Sequence, residues 1–115
     1  MKFVQVKQAC ALIKLEEPSQ LGLPLLDQVA PLLEQNAFVI LDCEEIELSS
    51  LIIGEFINVH RHLKDKWQGR AHGMALLNLS PSARKMFETT KIDKMLPFYN
   101  NISDAMGHFL RLKND

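Results

Sequence analysis

Residues 37–63 read AFVILDCEEIELSSLIIGEFINVHRHL, and their internal order decides the fold. Ala37–Asp42 is apolar until its last residue, the pattern of a strand covered on both faces in a mostly parallel sheet. An acidic connector follows, Cys43-Glu44-Glu45-Ile46-Glu47. Beyond Leu48-Ser49-Ser50, Ile52, Phe56, Val59 and Leu63 recur at steps of four, three and four, which traces one face of a helix from about residue 50 to 66. A strand feeding a helix through a short polar turn is half of a βαβ unit. In such units ligands and partners gather where strands end and helices begin, because free backbone N–H groups point outward there.

Working toward the amino terminus, residues 3–16 alternate partially, as one long strand or two short ones. No Asn-Gly or Gly-Gly marks a hairpin turn between them. Pro18 to Pro24 reads as a loop. Leu25, Leu26, Val29, Leu32 and Leu33 share one face of a helix over 25–35, with Pro31 on its polar side, where a kinked helix is expected rather than a broken one. Toward the carboxyl terminus, Gly69 and Gly73 bracket a turn, and 74–79 (MALLNL) is a second buried strand. Ser80-Pro81 is a helix start, serine as cap and proline at the first position. Ala83, Met86 and Phe87 form that helix's inner face, and Ile92, Leu96 and Phe98 return toward the core as an edge strand. Ser103 or Asn101 caps a last helix whose apolar residues are Ala105, Met106, Phe109 and Leu110. The order predicts an α/β domain, a small mixed sheet of four or five strands with about four helices, occupying residues 1–115 as one unit.

Several function classes are disfavoured by composition. Thirteen basic and 14 acidic side chains leave a net charge of −1, so no overall field invites nucleic acid. The basic stretch Arg84, Lys85, Lys91, Lys94 lacks interleaved aromatics for base stacking. No apolar run approaches the ~20 residues of a membrane span, and the start of the chain lacks a signal peptide's apolar centre. Cys10 and Cys43 read as two reduced thiols, which predicts a cytoplasmic protein. The five glycines are scattered, so no phosphate cradle forms, and no cofactor is implied. His60 and His62 on one helix lie roughly 200° apart around its axis and cannot share a metal ion. His60 is expected at the boundary of the core and His62 in solvent. Glu44, Glu45 and Glu47 offer carboxylates but no nucleophile–base pair, so an enzyme is not expected; an acid–base site would have to join the acidic loop to His72 or His108.

Four pieces in this order resemble the anti-sigma-factor antagonist family, whose fold is the STAS domain. They are Phe38–Asp42; Leu48-Ser49-Ser50-Leu51-Ile52-Ile53-Gly54; Ala75-Leu76-Leu77-Asn78-Leu79-Ser80-Pro81; and Phe87-x-x-Thr90-x-Ile92-Asp93-Lys94-Met95-Leu96. The resemblance spans residues 37 to about 106 and, more weakly, the first 36. It implies a signalling module in transcription regulation. The partner would be an anti-sigma factor that is also a serine kinase, and it would phosphorylate a serine at the strand–helix turn. The family's turn reads Asp-Ser-Ser-Gly. Matching Ile53-Gly54 to the family's Leu-Gly sets Ser50 on the phosphorylated serine, with Ser49 under the aspartate and Ile52 under the glycine. A shift of one residue makes Ser49 the acceptor and puts Leu48 where the aspartate belongs. Ser50 is favoured, Ser49 second, and Glu47, Leu48, Ser49, Ser50, Leu51 and Gly54 form the implied partner surface. Without the resemblance, either serine is sufficiently explained as a helix cap. The loss of the aspartate and glycine favours the alternative, a non-phosphorylated scaffold or small-ligand sensor subunit with the same fold.

Overall fold

The computed structural model describes residues 2–7, 9–15 and 24–114. β1 (Lys2–Lys7) and β2 (Cys10–Lys14) pair antiparallel, with Lys2 opposite Lys14 and Lys7 opposite Cys10. β3 (Phe38–Asp42), β4 (Gly73–Leu77) and β5 (Phe98–Tyr99) then add in parallel, giving the order β1-β2-β3-β4-β5. The helices are α1 (Leu25–Gln35), α2 (Ser50–Lys66), α3 (Pro81–Thr90) and α4 (Ile102–Asn114), with a 3-10 turn at Ile92–Lys94. The expected mixed sheet is present, with 38–42 and 73–77 as parallel neighbours and 38–42 in the middle of the sheet.

The connections explain the layering. β2-α1-β3, β3-α2-β4 and β4-α3-β5 all step in the same direction across the sheet. Crossovers of one hand therefore place α1, α2 and α3 on one face. α4 covers the opposite face. Strand alternation divides the core accordingly. Val39, Leu41, Met74 and Leu76 pack with Val29, Phe56, Val59, Leu63 and Phe87. Phe38, Ile40, Ala75 and Leu77 pack with Ala105 and Phe109. Such two-sided cover is why β3 is apolar almost throughout.

Details differ from expectation for identifiable reasons. The hairpin turns through Ala9 at φ 63° rather than through Asn-Gly, so no sequence signal announces it. The expected loop over 18–23 lies outside the described residues. α2 buries Ile53, Phe56, Val59 and Leu63; Ile52 is only partly covered, so the face begins one residue later than its periodicity suggested. β4 stops at Leu77, because Asn78 turns into the left-handed region at φ 61° before Leu79 returns to the core. Ile92 sits in the 3-10 turn and only Phe98 and Tyr99 form the edge strand, since Lys91 ends α3 with φ 63°. Asn101, not Ser103, caps α4: the Asp104 amide donates to Asn101 Oδ1 at 2.8 Å. Of the apolar residues named for α4, Ala105 and Phe109 are buried while Leu110 is 49% exposed.

Pro31 lies inside α1, exposed, without interrupting the helix. The ends of α1 are satisfied by groups remote in sequence. The Leu25 amide donates to Glu55 Oε1 at 2.9 Å, in place of a side-chain cap from Pro24. Trp67 Nε1 donates to the Leu33 carbonyl at 2.9 Å and the Asn36 amide group to the Leu32 carbonyl at 3.0 Å, filling two of the acceptors a helix end leaves open.

β4 begins on a glycine because α4 crosses there. A Cβ on Gly73 would stand 3.0 Å from Leu112 Cδ1 and 3.2 Å from Phe109 Cε1. Gly73→Val should therefore lift α4 and cost about 1–3 kcal/mol, read from the urea midpoint. An unchanged midpoint would show that α4 yields freely.

Candidate functional site

The carboxyl ends of the parallel strands all fall on one edge of the sheet, and α2, α3 and α4 start from it. Their amino-terminal caps Ser49, Ser80 and Asn101 lie along this edge. Sites in open α/β sheets are built there because helix amides and short loops converge. Two polar residues tie the strand ends together. Asp42 Oδ1 accepts from the Glu44 amide at 3.1 Å and from Asn78 Nδ2 at 2.9 Å, joining the exits of β3 and β4. Farther along, Arg84 donates through Nε to the Leu79 carbonyl and through Nη2 to Asn100 Oδ1.

The acidic connector leaves β3 over this frame. Cys43 and Ile46 turn inward and anchor it, while Glu44, Glu45 and Glu47 stay exposed. Glu45 is 3.5 Å from Lys14 Nζ at the end of β2. Burial, with Asp42 adding to it, pushes the Cys43 thiol up to about 12, so it stays protonated and unreactive at neutral pH. Cys10 and Cys43 are both buried, and the Cys10 thiol lies 3.6 Å from Met106 Sδ.

Ser49 and Ser50 occupy distinct places. Ser49 is the cap: its hydroxyl accepts from the Ile52 amide at 3.3 Å, and its extended backbone hands the chain into the helix. Ser50 is the first helical residue and is exposed. Leu51, beside it, is 76% exposed. Gly54 follows one turn later, and a Cβ there would meet nothing within 4 Å. Of the other surface residues expected from sequence, Glu47 is exposed and Leu48 leans partly against the core.

A groove of about 420 Å³ opens beside this turn, between Ile46, Glu47 and Leu48 on one side and Ser80, Ser82 and Met86 on the other. The α3 wall of this groove was not anticipated. Its signal was the Ser80-Pro81 helix start, which marks an element but does not reveal what it faces.

The histidines stand apart from this edge. His72 precedes β4 at the opposite end of the sheet, and its Nδ1 lies 2.8 Å from the Arg70 carbonyl oxygen. His108 is on α4, across the sheet from α2, and stacks near Tyr99. Neither lines the groove. An acid–base site joining them to the acidic loop is not assembled. His60 is half-buried, and burial first, then the charges of His72 and Lys64, hold it below the usual histidine range. His62 lies 3.6 Å from Glu34, which Lys66 also holds at 2.9 Å. No group of three or more His, Cys, Asp or Glu is placed to hold a metal among the described residues. No helix among them is long and apolar enough to cross a membrane.

No family model and no curated protein matches the sequence. Solved structures do match, along nearly the whole chain. The Bacillus cell fate determinant SpoIIAA in its phosphorylated form aligns at 17% identity with a TM-score of 0.64, covering 93% of this chain and 96% of its own. An anti-sigma-factor antagonist (STAS) domain protein from Planctomyces limnophilus aligns at 22% identity with a TM-score of 0.59, covering 96% and 95%. An anti-sigma factor antagonist from Mycobacterium paratuberculosis aligns at 16% identity with a TM-score of 0.65, covering 99% and 94%.

Proposed function

From the STAS fold that the chain shares with these proteins, we propose that it is a binding switch of the anti-sigma-factor antagonist type. Its partner is an anti-sigma factor with serine kinase activity, docked on Glu47–Leu51 and Gly54, and Ser50 is the residue that the partner modifies. The observation that carries the proposal is the pairing, in one helical turn, of a capping Ser49 with an exposed Ser50 and the outward Leu51. Both serines are exposed, but the Ser49 hydroxyl is already engaged with the Ile52 amide, which favours Ser50 as the acceptor. A phosphate on Ser50 adds roughly −1.5 to −2 charge at neutral pH. It would lie at the positive end of α2, which tolerates it, so the fold persists and the effect is directed outward. It would also stand close to exposed Glu47 and cover the approach to Leu51. A partner that docks on the unmodified turn would lose both apolar contact and charge balance. That one neighbour was solved in a phosphorylated form supports a chemical switch on this fold.

The experiment is incubation with a cognate serine kinase anti-sigma factor and ATP, followed by mass mapping of phosphate. Phosphate on the Ser49–Ser50 peptide, absent from the Ser50→Ala protein, is expected. A stable complex with no transferred phosphate would leave the scaffold reading. The groove beside Leu48 and Met86 favours a second reading, a small-ligand sensor. A ligand screen by thermal shift, with hits abolished by Met86→Trp, tests it.

A further inference from the structure

We propose that the groove between the acidic connector and α3 is a socket for an arginine side chain of the docked protein. The inference rests on the reading that a protein binds at the Ser49–Leu51 turn, though not on phosphorylation of Ser50. The groove, of about 420 Å³, is lined by two kinds of surface. Leu48, Ala83 and Met86 are apolar, whereas Glu47, Ser80 and Ser82 are polar. Among the described residues no lysine, arginine or histidine lines it. Each of the three polar side chains can accept a hydrogen bond. Glu47 is exposed and has no ion-pair partner among the described residues, while neighbouring Glu45 is engaged with Lys14. Ser82 Oγ lies 3.2 Å from Ser80 Oγ, and whichever of them donates, the Ser82 oxygen keeps a lone pair for a further donor.

Charge and shape choose the occupant. A helix start ordinarily attracts anions through its free amides. The start of α3 is largely closed to them: Pro81 has no N–H, the Ala83 amide donates to Ser80 Oγ at 3.2 Å, and the Arg84 amide to the Ser80 carbonyl at 2.9 Å. Glu47, on the other wall, repels an anion as well. A purely apolar side chain would cover the Glu47 carboxylate without satisfying it, which costs free energy. An arginine meets both surfaces. Its methylene stem would lie along Leu48 and Met86, and its planar guanidinium has donors enough for Glu47 and Ser82 together. The unbranched Met86 is an adaptable wall for such a stem. Leu51, 76% exposed in the adjoining turn, offers contact to an apolar neighbour of that arginine. A phosphate on Ser50 would compete with Glu47 for the guanidinium, since it too pairs bidentately, and would draw the stem off its apolar wall.

The test is methyl and amide NMR of the full chain titrated with acetyl-Leu-Arg-Leu-amide, beside the same peptide carrying glutamate in place of arginine, and beside free arginine. The arginine peptide is expected to bind in the millimolar range and to move the Met86 methyl and Ser82 amide signals, and the glutamate peptide to move neither. Glu47→Gln removes the charge from an exposed residue and should weaken the arginine peptide by about three- to fivefold. Ser82→Arg sets a guanidinium of the chain's own beside Glu47 and should abolish the shifts, with the rest of the spectrum in place. Arginine and glutamate peptides that move the same signals alike, an arginine peptide that moves none at the groove, or an unchanged affinity in Glu47→Gln each overturn the proposal. Free arginine binding as tightly as the peptide also overturns it, by assigning the groove to a small ligand. None of these measurements uses a kinase, so the socket can fail while Ser50 still takes phosphate, and can stand when Ser50 takes none.

Discussion

Phe56→Ala should destabilise the protein by about 3–5 kcal/mol, enough to consume much of the stability of a domain this size. Phe56 is fully buried on the face of α2 that covers β3 and β4, in one cluster with Val39, Leu41 and Leu76. Truncation leaves a cavity between a helix and a sheet that are each held by other contacts, so collapse is incomplete and the cavity term stays large. Chemical denaturation followed by circular dichroism measures the loss. A change below 1 kcal/mol would mean that α2 does not pack as described. Leu51→Ala, one and a half turns away on the exposed side, is the control and should shift stability by less than ~0.5 kcal/mol.

Ser50→Asp should weaken binding of the proposed anti-sigma-factor partner by at least about tenfold, or ~1.4 kcal/mol, while Ser50→Ala binds as the parent does. The two serines are separable by stability. Ser49→Ala removes the hydroxyl that accepts from the Ile52 amide and should cost about 1 kcal/mol. Ser50→Ala removes no such bond, and Ser50→Asp, at the positive end of the helix, should be neutral or stabilising by ~0.3–1 kcal/mol. Titration calorimetry with the anti-sigma factor, alongside thermal melts of all three variants, reads both quantities. Ser50→Asp binding as tightly as the parent would remove the switch from this position. If Ser49→Asp alone weakened binding, the acceptor would move one residue back, to the cap.

Periodicity and punctuation determined the number and type of the elements in this chain. The continuous apolar run at Phe38–Leu41 implied a strand covered twice. The buried set Phe56, Val59 and Leu63 marked a helix, and Ser80-Pro81 began another where the structure has it. These are local statements, since side chains that alternate or recur within one segment report its own environment. They also placed Ser49 and Ser50 in a first turn, though not which of them is the cap, because that depends on backbone angles at a single residue. Only the tertiary structure decided the rest. The hairpin turn at Ala9 and the helix end at Lys91 use positive φ at residues that do not advertise it. Glu55 caps α1 from 30 positions away, and Asp42 meets Asn78 across 36, distances at which sequence spacing carries no information. The outward Leu51, the groove walled by α3 and the exposed Leu110 on α4 are properties of what is left uncovered. Exposure is a sum over every neighbour, so it exists only once the chain has folded.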